Sequence, residues 1–554
     1  MRARVVPAIA IVFLLLGASA AAASDSHPAS RGAPASHQAS RTLLTTGQGP
    51  TSRGNDSRDG WYPDEAGLTP ALVSSSNFGQ VFATQLKGQI YAQPLLVGKI
   101  LLVATEMDWV YGLNPVSGKI EWSRHIGNAW PDAPLNCSDL TPDLGVTSTP
   151  VVNPATGIAY LVDQAYVSGT SGPVAWYMNA INTITGAEEP HFPVKITGPP
   201  VNDKKRPFVA TKELQRPGLL LLGNVVYAAF GSHCDYLPYT GIIAGVSTAG
   251  KQTTMWSDEG TASGQGAGIW QAGGGLVSDG ANQILFVSGN GFFGSLSDPS
   301  GPLKASSPPK NLGDSVVRLA VQPNGSLKAT NFFSMYDDGN VDSHDWDLTG
   351  APVVLPAQFG THKYPHLVVT VGKQGIVYLL DADSLGGARE GPGKRDSVLG
   401  EYGPNGAADS TAGAWPGNGG YVYISTWAGA NNGPAQVDVY KYEVTSKGLP
   451  ALKLVGTAAQ TVVFGVSGPL VTSNGTASGS AIVWFMNGPS LYAYGAVPVK
   501  GKLPLLGSWF DGDNDAFTPP GIGNNMVYVA NKSGMVLGFG EKTPPAPATQ
   551  LALP

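Results

Sequence analysis

Residues 145–163 read GVTSTPVVNPATGIAYLVD. A Thr-Pro entry leads into a short apolar run, Asn153 to Gly157 supply turn chemistry, and a second apolar run follows. Two short apolar runs joined by an Asn-x-x-x-Gly turn describe antiparallel strands, because Asn and Gly accept the backbone conformations a tight reversal needs. A second hairpin follows, NAINTITGAEEP from Asn179. The same unit recurs at Gln93, Pro217, Gly273, Gly350, Gly413, Gly468 and Thr518. Further turn-bearing hairpins are VYGLNPVSGKIEW at Val110, VVRLAVQPNGSL at Val316 and IVYLLDADSLGG at Ile376. Four strands per unit, at a spacing of roughly 50 to 80 residues, are the signature of propeller blades.

The chain therefore reads as all-β: an eight-bladed β-propeller of four-stranded antiparallel blades. The last unit ends at MVLGFG (Met535), one strand short, and NFGQVFATQL (Asn77) precedes the first unit as a spare. Pairing them predicts a ring closed by an N-terminal strand that completes the last blade, which removes both exposed edges.

Outside the repeats the composition changes. Arg2 and Arg4, an apolar run to Leu16 and an Ala-rich stretch form a secretory signal peptide over residues 1–23. Residues 24–60, rich in Ser, Ala, Gly, His and Arg, read as a disordered leader, and 541–554 as a disordered tail. The propeller is expected over 61–540 as one domain. No later run has the apolar length of a membrane span, so the chain is expected outside the cell or in the periplasm. Charged residues are 13% against 73 Gly and 44 Pro, which suits short strands and turns. The net charge of −6 leaves no basic footprint for nucleic acid.

Cys137 and Cys234 form an even pair in an exported chain and are expected to make one stapling disulfide. Without C-x-x-C-H there is no fused c-type haem, so electrons from any oxidation must leave through a separate acceptor. Five N-x-S/T sequons (Asn55, Asn136, Asn324, Asn474 and Asn531) are compatible with glycosylation in a eukaryotic host.

The units GVTSTPVVNPATGIAYLVD and VYGLNPVSGKIEW resemble those of the eight-bladed pyrroloquinoline-quinone (PQQ) dehydrogenases and their relatives. Asp/Asn-x-x-x-Gly-(Lys)-x-x-Trp closes a blade in that family and docks its Trp against the next; Trp122 fits it, as does Trp256. The resemblance implies a site. In SHDWDLTGAPVVLP, starting at Ser343, alignment on Trp346 and Gly350 places Asp347 at the catalytic base. In FVSGNGFFG, Asn290 falls at a metal ligand, and Trp270 of GIWQAGGG lies near the Trp beneath the quinone. Asp235, in FGSHCDYLPYTG, is the oxygen donor nearest the family's missing Glu, and Lys373 of VGKQG the basic residue nearest its missing Arg. Thr349 stands where lanthanide-type members carry an additional Asp. The family's vicinal disulfide is absent. Implied cofactors are PQQ and Ca²⁺; the implied reaction is hydride transfer from an alcohol or sugar.

Each residue has a plainer reading beside this one. Asp347 can cap loop amides where a strand starts, Asn290 can serve a glycine-flanked turn, and Trp270 can pack between blades. His362 and His366 flank a proline-bearing loop rather than a helix, which disfavours zinc, and DGDNDAF at Asp511 reads as an acidic surface turn. The rival to an oxidoreductase is a non-catalytic secreted propeller that binds a protein or carbohydrate partner, because fold alone does not fix function.

Overall fold

The computed structural model describes residues 50–542, apart from 136, 138–139, 262–263, 292, 295–300, 430 and 514–516. The expected signal peptide, residues 24–49 of the expected leader, residues 543–554 of the expected tail and the Asn136 sequon lie outside the described residues.

Eight blade sheets succeed one another along the chain, antiparallel except where Trp61–Tyr62 pairs with Leu470–Thr472 and Gly387–Ala388 with Leu327–Ser334. Blade 1 runs from Leu95–Val97 to Ile120–His125, and blade 2 from Val151–Asn153 to Val194–Ile196. Blades 5 and 6 begin at Val353–Val354 and Gly413–Trp415. Blade 8 holds Gly521–Gly523, Met526–Ala530 and Met535–Glu541, and its fourth strand is Phe78–Gln85. The last pair is antiparallel, with Phe78 opposite Glu541 and Gln85 opposite Met535. The ring therefore closes as the spare strand anticipated.

Buried apolar residues from neighbouring blades interleave between the sheets. One cluster joins Ala159 and Leu161 of blade 2 to Leu102 and Val110 of blade 1. The docking Trp works through geometry. The Trp122 indole N–H donates to the Thr183 carbonyl of the next blade at 3.0 Å. Gly112 and Gly186 leave room for its ring, since a Cβ at either would lie 2.3 or 2.6 Å from it. Trp256 is buried in the cluster that joins blade 3 to blade 4, edge-to-face on Phe286.

One expectation needs correcting. The leader reads as disordered to residue 60, but residues 51–60 line the propeller axis and Thr51, Ser52, Arg53 and Arg58 are buried. Carbonyls of Pro50, Asp56, Ser57, Asp59 and Gly60 accept amide hydrogens from Val152, Ser278, Val354, Ala414 and Val471, which belong to the inner edges of blades 2, 4, 5, 6 and 7. Arg53 donates to the carbonyls of Ala412 and Pro469 at 2.6 and 2.9 Å. Arg58 donates to those of Leu276 and Leu219 at 3.0 and 2.9 Å. Composition speaks to the apolar surface a segment can bury; this one is held instead by carbonyls that the inner strands already present.

Two smaller corrections follow. Asp511 is 5% exposed and its carbonyl accepts from Asn531, so DGDNDAF does not begin as a surface turn. Asn531 itself is buried, which takes that sequon off the surface. Among the described residues no helix is long and apolar enough to cross a membrane.

Candidate active site

Where the inner strands begin, beside the axial segment, the structure holds a cavity of about 470 Å³. Asp347, Asn290, Asp235, Trp270 and Lys373, all singled out in the sequence, line it together.

Asp347 precedes the inner strand of blade 5 and is 2% exposed. Its backbone carbonyl accepts from the Lys373 amide at 3.0 Å, and that of Trp346 accepts from Gln374, which ties residues 346–347 to 373–374. Gly372 permits the approach, because a Cβ there would sit 2.3 Å from the Asp347 carbonyl oxygen. The pairing delivers Lys373 to the carboxylate, with Nζ 2.9 Å from Asp347 Oδ1. The same ammonium lies 2.8 Å from Oδ1 of Asp345, the left-handed residue that ends the short helix Asp338–His344. Burial pushes the Asp347 carboxyl up to about 6, against the pull of Lys373. Burial also opposes the charge on Lys373, yet Asp347, Asp409 and Asp345 together hold its pKa above the ordinary value.

Asn290 follows the second strand of blade 4. Its amide N–H donates to Asp347 Oδ2 at 3.3 Å and its Nδ2 to Asp345 Oδ1 at 2.6 Å. Its Oδ1 is buried and meets no hydrogen-bond donor among the described residues. A buried acceptor without a partner is costly, so this atom is where the site asks for something more.

Trp270 is half-buried and serves two purposes. It packs against the core between blades 2 and 3 and lines the cavity. Gly231, Gly268 and Gly289 surround its indole; a Cβ on them would stand 3.0, 2.8 and 3.3 Å from the ring. Asp235 lies at the exposed rim, with its Oδ1 accepting from the Tyr239 hydroxyl at 2.9 Å. The neighbouring Cys234 is disulfide-bonded to Cys137, as expected, which ties residues 97 apart in sequence across this rim. That bond also removes any Cys-His nucleophile pair. His366 meets Asp383 at 3.2 Å on the exposed surface.

The sequence reading missed Asp409. It is 5% exposed, accepts from Thr349 Oγ1 at 3.0 Å and from Trp427 Nε1 at 2.5 Å, and burial raises its pKa. The signal was available: Asp409-Ser-Thr precedes the inner strand of blade 6 much as Asp347-Leu-Thr precedes that of blade 5. Thr349, at the position of the lanthanide-type Asp, thus holds a carboxylate supplied by the next blade. Arg216, Tyr239 and Trp427, on connections between strands of one blade, and Phe464 and Phe517, on connections between blades, also escaped, because no repeat pattern marks these loops.

Such an arrangement defines a closed propeller with a charged pocket at its axis, holding an acid near neutrality beside a fixed cation. Solved structures with the same fold include a quinohemoprotein alcohol dehydrogenase from Comamonas testosteroni, at TM-score 0.57 and 16% identity over 92% of this chain and 83% of that one. A quinohemoprotein alcohol dehydrogenase from Pseudomonas putida HK5 gives 0.54 and 13% over 91% and 82%. A europium-containing methanol dehydrogenase gives 0.53 and 14% over 88% and 90%. At these identities the likeness establishes the fold. No family model matches the sequence, and no curated protein matches it.

Proposed function

We propose that the protein is an exported quinoprotein oxidoreductase that oxidises an alcohol in the axial cavity and passes the electrons to a separate acceptor. The observation that carries this reading is the convergence of Asp347, Asn290, Asp235, Trp270 and Lys373 on one cavity, with the Asn290 Oδ1 left unpartnered. A scaffold propeller would fill this space with side chains. Here the space is within the range of a small-molecule site.

The residues fit the cofactor. The glycine-cradled indole of Trp270 offers a flat platform, and Lys373 a cation for an anionic ring system. Asn290 and Asp235 offer hard oxygen donors of the kind Ca²⁺ takes. Among the described residues no three His, Cys, Asp or Glu side chains form a metal cluster, so the chain would supply only part of the ion's ligand set. PQQ, when bound, supplies the hydride acceptor. The protein's own part is to hold the substrate hydroxyl and remove its proton. Asp347 is suited to this role because its carboxyl sits at about 6, close enough to neutrality to be deprotonated yet basic. Lys373 keeps the deprotonated form charged and fixed in place.

Dye-linked oxidation of primary alcohols by the PQQ-loaded protein tests the reading. The expected profile loses activity on the acid side, where Asp347 takes up its proton, and Asp347→Asn lowers kcat by about 100-fold or more. Full activity in that variant would overturn the role of the base.

A further inference from the structure

From Asp409 outward, the cavity wall is a continuous aromatic ladder. Trp427 donates its indole N–H to Asp409 at the buried end. Its ring meets Phe464 edge-to-face at 4.9 Å, and Phe464 meets Phe517 in the same way at 5.4 Å. Phe464 is 59% exposed, so a large apolar ring stands in solvent at the mouth of a charged pocket. Leu140, Leu214 and Tyr91, all buried, extend the apolar wall.

The polar groups of the cavity are largely engaged with one another. Tyr239 is held by Asp235, Thr349 and Trp427 by Asp409, and Asn290 Nδ2 and Lys373 by Asp345. Asn290, whose buried Oδ1 lacks a donor among the described residues, sits against Asp347. The ladder presents ring faces and edges, and its one N–H is already used. A wall of this kind gains by covering apolar surface and returns nothing to a row of hydroxyls.

We infer that the cavity selects an alcohol with one hydroxyl and an apolar body, aryl or medium-chain alkyl, and rejects sugars and polyols. The hydroxyl lies at Asp347 and the apolar body along Trp427, Phe464 and Phe517. This rests on the oxidoreductase reading for its chemistry but on the aromatic wall for its selectivity, and the two can fail separately.

The test is direct binding to the mature protein without cofactor, by ligand-observed NMR titration of benzyl alcohol, 1-hexanol, glucose and glycerol. It is run on wild type and on Phe464→Ala and Phe464→Ser, whose exposed position spares the core; equal melting midpoints check folding. Benzyl alcohol and 1-hexanol should bind saturably and lose about tenfold in affinity in both variants, the scale of a lost aromatic contact. Glucose and glycerol should show no saturation. Binding of glucose as tight as that of benzyl alcohol, no binding of the two apolar alcohols, or unchanged affinity in both variants would overturn the inference. A PQQ titration of the same samples separates the readings. Apolar alcohols bound without any PQQ binding would sink the oxidoreductase and keep the wall; PQQ bound with no preference for apolar alcohols would do the reverse.

Discussion

Two sets of charges lie on the propeller axis, and they are treated in opposite ways. Arg53 and Arg58 are fully buried, and their guanidinium groups are spent on backbone carbonyls from several blades. Burial draws their pKa down only to about 10, so both stay charged. Asp347, Lys373, Asp345 and Asp409 are instead crowded together, with carboxyl pKa values pushed up by burial at Asp347 and Asp409 and an amide oxygen of Asn290 left without a donor. Saturated charge fastens the blades. Unsaturated charge beside a cavity is the mark of a place kept for a ligand, and proteins accept the stability cost at such places.

That contrast can be broken most easily at the arginines. Arg58→Ala strands several buried carbonyls and should cost about 3–5 kcal/mol by chemical denaturation. A loss below about 1 kcal/mol would mean that the axial segment merely rests in the channel. Next in size is the disulfide at the site's rim. Reducing Cys137–Cys234, which spans 97 residues, should cost about 2–4 kcal/mol, and an unchanged melting midpoint in reductant would remove the staple from the account.

The smallest effects belong to the site itself. Asp347→Asn should change stability by no more than about 1 kcal/mol, because Lys373 keeps Asp345 and Asp409. Stability should also depend on pH with a definite sign. Asp59 and Asp347, at about 6, and Glu106, at about 7, are held above their ordinary values by burial. The folded chain then keeps protons that the unfolded chain has released, so the contribution of these groups is full below about pH 4 and is lost as pH rises through about 6 to 7. Melts at about pH 5 and about pH 8 check this: a higher midpoint at the alkaline end would reverse the sign.

How much of this was legible beforehand follows from what each feature depends on. Blades repeat, so turn chemistry and apolar runs declared eight of them, and the spare strand at Asn77 declared the closure. Asp347, Asn290 and Lys373 stand at strand starts and ends, and the resemblance of those stretches to the PQQ dehydrogenases singled them out. The axial segment was illegible, because its partners are carbonyls of distant blades and carbonyls leave no trace in a sequence. Phe464 and Phe517 were illegible for a related reason: they sit in connections whose length and path differ from blade to blade, so no repeat predicts where they point.

The central claim is that the unsaturated end of the axis is a quinone site. The most direct measurement is the melting midpoint of the mature protein across a titration of PQQ with Ca²⁺, beside an Asp347→Ala/Asn290→Ala variant. A saturable rise in midpoint that needs calcium and is weakened in the variant is the expected result. An unmoved midpoint at cofactor concentrations well above micromolar, or an equal rise in the variant, would contradict it and leave a propeller whose pocket serves another ligand.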